Sequence, residues 1–309
     1  MDLTLKEMDT YVIVVTYNGI TWIKECLESC KNHPVIVIDN ASTDDTVAYI
    51  KNKFPKVVLL QQTKNLGFGA ANNIGIGHAL NNGADYVFLL NQDAYLREDT
   101  VEKLITIHKN NTEYGIISPI HLNGSGTNLD KNFSNYIKTN DTLFYDALKN
   151  AFIKSIYEVS FVNAAAWLLP KATLGTVGGF DPIFYHYAED DNYCQRVLFH
   201  GFKIGVVPNC YINHDREFRT TESTINIKDK FILKERYLKF KWANVNSEVE
   251  LEIRNTKKKL RLLIPKLFIK FKFNKASHYL KELALINRII PEIEKSREIN
   301  KAKGRHYIN

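Results

Sequence analysis

Short apolar runs alternate with amphipathic stretches through the first ninety residues. Tyr11–Thr16 (YVIVVT), Val35–Asp39 (VIVID), Val57–Gln61 (VVLLQ) and Tyr86–Leu90 (YVFLL) are almost unbroken in β-branched, aliphatic and aromatic residues. Runs of that length and composition read as strands buried on both faces. Between them, residues 20–31, 43–53 and 69–82 space their apolar positions as helices do, and Ser42-Thr-Asp-Asp45 offers capping residues to the second. The alternation predicts a mixed, mostly parallel α/β sheet flanked by helices, with chemistry gathered at the carboxyl ends of the strands. Polar residues fall there: Thr16, Tyr17 and Asn18 after the first run, Asp39 and Asn40 after the second, Asn91, Gln92 and Asp93 after the fourth.

Further along the pattern is weaker. Gly124-Ser-Gly-Thr-Asn128 reads as a loop, and the polar and aromatic segment up to residue 160 as a lid or hairpin. Phe161–Leu169 (FVNAAAWLL) reads as another buried strand, closed by Pro170, and Lys203–Val207 as a short one. From about residue 225 the chain turns helical and basic. The expected division is therefore 1–224 and 225–309, with Pro265 breaking any single long helix in the second part.

Three features carry candidate chemistry. The stretch Tyr185-His-Tyr-Ala-Glu-Asp-Asp-Asn-Tyr-Cys-Gln-Arg196 sets Glu189, Asp190 and Asp191 side by side among aromatics, after a Gly178-Gly179-Phe180-Asp181 turn. Crowded acids that lose water repel one another, so at least one should be raised toward the range of a general base. Asp93, ending an apolar strand, is placed to ligate Mg²⁺ or Mn²⁺ beside a diphosphate, or else to close an Asx turn. Asn65-Leu-Gly-Phe-Gly-Ala-Ala-Asn-Asn-Ile-Gly75 joins the third strand to a helix, its glycines permitting close backbone approach. It fits neither the phosphate loop nor the dinucleotide fingerprint. His214 is a metal ligand or a structural histidine.

Composition narrows the classes. At 309 residues and 45% hydrophobic the chain can bury a sizeable core, and it has no run of eighteen apolar residues. Met1–Asp9 lacks an apolar signal core, and Cys26, Cys30, Cys194 and Cys210 lack zinc spacing, so a reducing, cytoplasmic setting is expected. Residues 225–309 carry 22 Lys and Arg against 9 Asp and Glu, so against a chain total of +7 the first 224 residues are net acidic. From Ile253 to Lys281 there are ten Lys and Arg and no acid, interleaved with Leu, Ile and Phe. That pattern suits an anionic membrane surface at the inner face of the plasma membrane, or a helical hairpin with a solvated basic face. No nucleic-acid module is apparent.

Taken in order, VVTYN (Val14–Asn18), VIDNASTDDT (Val37–Thr46), NLGFGAANNIG (Asn65–Gly75), FLLNQDA (Phe88–Ala94), VGGFDPIFYHYAEDDNYCQR (Val177–Arg196) and His214 resemble the family 2 glycosyltransferases, the rhamnosyltransferase-like branch most closely. The resemblance covers residues 10–215 and implies a GT-A, Rossmann-like fold with a basic helical extension. It implies that Asp39 reads the imide edge of uracil or thymine, with Thr16, Tyr17, Asn18, Asn65, Gly67, Asn73, Asn91 and Gln92 around the nucleotide. Asp93, with His214, would hold Mn²⁺ or Mg²⁺ against the diphosphate, and Asp190 would be the catalytic base, oriented by Glu189. Two positions depart from the family pattern: Asn91 stands for the first acid of its DxD, and Asn192 for the last acid of Glu-Asp-x-Asp. Trp167, Tyr185 and Tyr187 form an acceptor platform or pack in the core.

The expected activity is inverting transfer of a sugar, rhamnose at branch level, from a UDP- or dTDP-sugar. The acceptor would be a hydroxyl of a glycan or lipid-linked glycan, in surface polysaccharide synthesis. The oligomeric state stays open between monomer and homodimer. The competing readings are a sugar-nucleotide nucleotidyltransferase, for which Thr16-Tyr-Asn-Gly-Ile-Thr21 lacks a basic residue, and an inactive binding relative.

Overall fold

The computed structural model describes residues 9–138, 140–149, 151–216 and 227–308. The chain divides into two compact units, one holding residues up to 220 together with 303–309, the other 221–302. The expected boundary at 224/225 lies outside the described residues. The last residues, expected with the basic region, instead return to the first unit: Gly304 N–H donates to Thr176 O at 2.9 Å and Gly179 N–H to His306 O at 2.8 Å.

The first unit is built on one sheet. It begins with β1 (Thr10–Thr16), α1 (Ile23–Ser29), β2 (Val35–Asp39), α2 (Thr46–Lys53), β3 (Val58–Gln61), α3 (Phe68–Asn81) and β4 (Tyr86–Asn91). β3, β2, β1 and β4 lie side by side and parallel. β2 is buried along its whole length, as its unbroken VIVID pattern requires. α3 crosses this half of the sheet at unusually short range because it is built of Gly, Ala and Asn. A Cβ at Gly75 would lie 2.6 Å from Ile13 Cγ2 and 2.6 Å from Ile38 Cδ1.

The second half departs from the sequence expectation. It comprises β5 (Ala94–Leu96), α4 (Thr100–Lys109), β6 (Tyr114–Asn123), α5 (Lys131–Ile137), α6 (Asp141–Leu148), β7 (Tyr157–Val159), β8 (Ala166–Pro170), α7 (Lys171–Val177), α8 (Glu189–Phe199) and β9 (Lys203–His214). β6 gives no apolar run to read, since Gly115, Ser118, Pro119 and His121 interrupt it, yet it pairs in parallel with β9 through a register shift at Pro119/Ile120. In place of a lid or hairpin the segment after residue 124 forms two short helices. Asp130 caps α5 by accepting from Asn132 N–H and Phe133 N–H, and Asn140 caps α6 by accepting from Leu143 N–H. The expected strand over 161–169 begins only at Ala166. It runs antiparallel to β4, so residues 163–165 arrive beside the carboxyl end of β4, where Asn91 N–H donates to Ala165 O at 3.0 Å.

The second unit holds α9 (Ile227–Trp242), α10 (Glu250–Ile269) and α11 (Phe273–Lys301). The expected helix break at Pro265 is absent: α10 runs through it, as α11 runs through Pro291. A proline removes one hydrogen bond and crowds the preceding turn. Burial of Leu260, Ile264 and Leu267 on one side of α10 offsets that cost.

The contact at Gly75 yields a test. Gly75→Val forces two methyl groups into the α3–sheet interface and should destabilise the chain by about 1–3 kcal/mol, as overpacking does. A urea midpoint equal to that of the parent would show that α3 can lift from the sheet at no cost.

Candidate active site

A cleft of about 760 Å³ opens where the polar strand ends converge. Tyr17, Asn18, Asn65, Gly67, Asn91, Gln92 and Asp93 line it from the first half of the sheet, and Tyr185, Tyr187, Glu189 and Asp190 from the loop and first turn of α8. The structure thus brings most of the sequence-derived set together.

The β1 and β4 ends are pinned to one another by a single side chain. Gln92 Oε1 accepts from Thr16 Oγ1 at 2.7 Å and from Tyr17 N–H at 3.0 Å, while its amide donates to Tyr17 O at 3.3 Å. Thr16 is therefore fully buried beneath the cleft rather than in its lining. Asn18, at φ 47°, clamps the β2 exit loop: its N–H donates to Ser42 Oγ and its Oδ1 accepts from Thr43 N–H. Asp39 is buried at the end of β2, where its carboxylate accepts from Ser42 N–H at 3.2 Å.

The 65–67 loop has an organiser that the sequence reading did not single out. Asn40 Oδ1 accepts from Leu66 N–H at 2.8 Å, and its amide donates to Asn65 Oδ1 at 2.9 Å and to Gly67 O at 3.3 Å. Both polar atoms of its side chain serve that loop, and it too faces the cleft. The only signal for it in the chain is its place one residue past a buried strand. Gly67 sits at φ +82°, and a Cβ there would come within 1.9 Å of Tyr185 O. Both the turn and the close approach require glycine.

Two expected contacts are corrected. Asn73 does not line the cleft: its Oδ1 accepts from Phe180 N–H at 2.7 Å and its amide donates to Phe180 O at 2.8 Å. It fastens α3 to the turn ahead of the acid cluster. Trp167 is not an acceptor platform. It is fully buried and stacked on Phe180 with ring centroids 6.1 Å apart, so the core-packing alternative holds. Tyr185 and Tyr187 remain, both more than half exposed on the cleft rim.

The acids occupy the first turn of α8, entered through two consecutive left-handed residues, Tyr187 at φ 67° and Ala188 at φ 70°. Strain of this kind persists only where surroundings enforce it. Buried Arg196 fastens α8 to the turn ahead of it by donating to Gly179 O. Asp190 lines the cleft and is raised above the ordinary aspartate range by loss of water, against opposing hydrogen bonds from Asp191 and Ala164 backbone. Asp191 is raised to about 7 by burial first and by the neighbouring Asp190 charge second, but it does not line the cleft. Glu189 is buried beside them.

Between β4 and β5, Asp93 is buried beside His214. His214 Nε2 lies 3.4 Å from Asp93 Oδ1, its Nδ1 lies 3.9 Å from Asp130 Oδ2, and neither ring nitrogen makes a hydrogen bond. Arg216, also missed in the sequence, enters the cleft with Nε 3.0 Å from Asp130 Oδ2. Among the described residues no group of three His, Cys, Asp or Glu side chains could hold a metal by itself. Mg²⁺ and Mn²⁺ bound to nucleotides ask for less, one or two protein ligands plus phosphate oxygens. The buried carboxylate of Asp93 and the unbonded Nε2 of His214 fit that requirement.

The sequence model of the family described as "Glycosyl transferase family 2" matches residues 11–167. The chain belongs to glycosyl transferase family 2, and with this membership it is a glycosyltransferase. It is 25% identical over 220 residues to the dTDP-rhamnosyl transferase RfbF of Shigella flexneri, covering 66% of this chain and 68% of that one. It is 23% identical over 235 residues to an N-acetylglucosaminyl-diphospho-decaprenol L-rhamnosyltransferase of Mycobacterium tuberculosis, covering 68% and 76% respectively. Among solved structures, residues 1–349 of S. aureus TarS in complex with UDP superpose with a TM-score of 0.54 at 16% identity, over 95% of this chain and 88% of that one. A second S. aureus TarS structure is spanned for only 44% of its length. A mannosyltransferase of Pyrobaculum calidifontis, solved with GDP-Man and Mn²⁺, gives 0.52 at 17% identity, over 78% and 64%. At these identities the structural likeness speaks for the fold, which is GT-A.

The raised carboxyls make a pH prediction. A carboxyl whose folded pKa exceeds its unfolded value of about 4 leaves stability intact below that value and removes it as pH rises toward the folded pKa. For Asp191 that window runs from the unfolded value up to about 7. Asp191→Asn should therefore gain stability over the parent progressively across the window. Chemical denaturation at pH 4 and pH 8 checks this, and an equal gap at both would show that Asp191 ionises freely in the fold.

Proposed function

We propose that the chain is an inverting glycosyltransferase that moves rhamnose from a dTDP- or UDP-sugar to a hydroxyl of a glycan or lipid-linked glycan acceptor in surface polysaccharide synthesis. The observation that carries the reading is Asp190, an acid raised by burial and open to the same cleft as Asp93. The rhamnosyl transfer named for the Shigella and Mycobacterium relatives supports the choice of sugar. UDP in the TarS fragment supports a pyrimidine nucleotide.

In this reading the base of the nucleotide lies against the loops that Asn18 and Asn40 hold, with Asp39 accepting from the imide N–H of uracil or thymine. Arg216 meets the diphosphate with its guanidinium, a geometry suited to phosphate oxygens. Asp93 and His214 would hold a divalent cation, Mn²⁺ or Mg²⁺, which would supply positive charge to offset that building on the departing nucleotide. Tyr185 and Tyr187 present aromatic faces to the acceptor sugar. Asp190 takes the proton of the acceptor hydroxyl as that oxygen attacks the anomeric carbon from the side opposite the nucleotide, which inverts the centre. Glu189 orients Asp190. An anionic membrane surface, met through residues 253–281, brings the enzyme to a lipid-linked acceptor.

Two measurements test this. Asp190→Asn should lower kcat by roughly 10²–10⁴-fold, the range of general-base catalysis, while nucleotide affinity stays at the parent value. Unchanged turnover would remove Asp190 from the mechanism. Thermal shift with UDP, dTDP, GDP and ADP should show stabilisation by the pyrimidine nucleotides alone, dependent on Mn²⁺ and abolished by EDTA. A purine preference would overturn the donor assignment.

A further inference from the structure

The turn between α10 and α11 exposes a concentrated apolar surface. Phe268 is 42% exposed, Ile269 77%, Phe271 80% and Phe273 54%. The rings touch one another instead of a core: Phe268 and Phe271 each place a ring centroid 6.0 Å from that of Phe273. Lys266, Lys270, Lys272 and Lys275 surround them, all exposed. An apolar patch rimmed by charge marks a surface that meets something other than water.

The backbone makes the same point independently. Lys272 N–H donates to Leu267 O at 2.9 Å, closing α10 with a wide terminal turn, and Phe271 occupies its left-handed position at φ 54°. Glycine is the ordinary residue there, because any side chain strains that conformation. Phenylalanine at this point keeps the strain and projects an aromatic ring outward from the end of the helix pair.

We propose that the α10–α11 tip inserts into an anionic lipid bilayer, with Phe268, Ile269, Phe271 and Phe273 entering the acyl boundary and the four lysines remaining at the phosphate level. The inference rests on the membrane contact proposed above and goes past it in naming the inserting segment and its end-on geometry. Charge complementarity chooses the occupant: no Asp or Glu lies between Ile253 and Lys281, and lysine stems reach from buried apolar surface to headgroups. The alternative is a flat-lying α10, whose Lys257–Lys259 and Arg261 face offers only Leu251 and Leu262 as strongly exposed apolar partners before the tip. Among the described residues no helix is long and apolar enough to cross a membrane, so insertion here is interfacial.

The experiment uses the full chain and phosphatidylglycerol vesicles with and without brominated acyl chains, beside phosphatidylcholine controls. With Phe271→Trp the introduced indole should be quenched by brominated chains in phosphatidylglycerol vesicles and not in phosphatidylcholine. In parallel, Phe271→Asp combined with Phe273→Asp should lower the vesicle-bound fraction by about tenfold or more. Replacing Lys257, Lys258 and Lys259 by Ser should weaken binding while the introduced indole stays quenched. Binding that survives the Phe pair, or binding without quenching, overturns insertion in favour of a flat contact. A dimer in light scattering that the Phe pair abolishes, with no vesicle binding, assigns the tip to a second copy of this chain. Nucleotide thermal shifts on the same preparations separate the outcomes: a pyrimidine shift without vesicle binding removes only the membrane inference.

Discussion

Withdrawal of water from the first turn of α8 is the constraint on which the site depends. Asp190 and Asp191 would lie in the ordinary aspartate range if solvated, and a helix N-terminus lowers them further. Burial outweighs both effects and raises the two. Holding two neighbouring carboxyls against that penalty takes a rigid frame. The frame is visible as Asn73 bonded to Phe180, Arg196 donating to Gly179 O, Trp167 stacked under Phe180, and the returning residues 304–306 bonded to α7 and its following turn. Each of these is a structural contact one layer behind the cleft, and each bears on the segment that presents Asp190.

The other wall is governed by amides rather than charges. Asn18, Asn40, Asn65 and Gln92 tie together the exits of β1, β2 and β4 and the loop before α3 through short side-chain to backbone bonds. Amides suit this task because they fix loop geometry through donors and acceptors at once without adding charge. The acids of the cleft are Asp93, Glu189 and Asp190, and Arg216 is the one Arg or Lys among the described residues that lines it with them.

Much of this was legible in the sequence, for physical reasons that also explain the failures. β1, β2 and β4 are covered on both faces, so their runs are continuous and unmistakable. β6 is equally buried but carries Gly115, Ser118, Pro119 and His121, and its pairing with β9 is a long-range event that no local pattern encodes. Asp130 and Asn140, which cap α5 and α6, lie outside any strong periodicity and so go unread in the sequence. Asn73 is placed at the cleft by motif position alone, and Trp167 stays open in sequence between an acceptor platform and the core. Side-chain direction decides both, and direction follows from packing. Asn40 is read only as a polar residue past a strand and Arg216 not at all, because such a residue looks the same in sequence whether it shapes a loop or faces solvent. Pro265 was read by its local cost, which tertiary burial of α10 overrides.

The contact between Gly67 and Tyr185 links two segments more than a hundred residues apart so closely that neither can change alone. Any side chain at 67 collides with a main-chain oxygen, which no substitution at 185 can remove. Replacement of that glycine must therefore wait for a shift in the path of the backbone ahead of the acid cluster, and such a shift would move Asp190. Among descendants of this sequence, position 67 should stay fixed for as long as Asp190 keeps its place. That glycine records the history of a carboxylate it never touches.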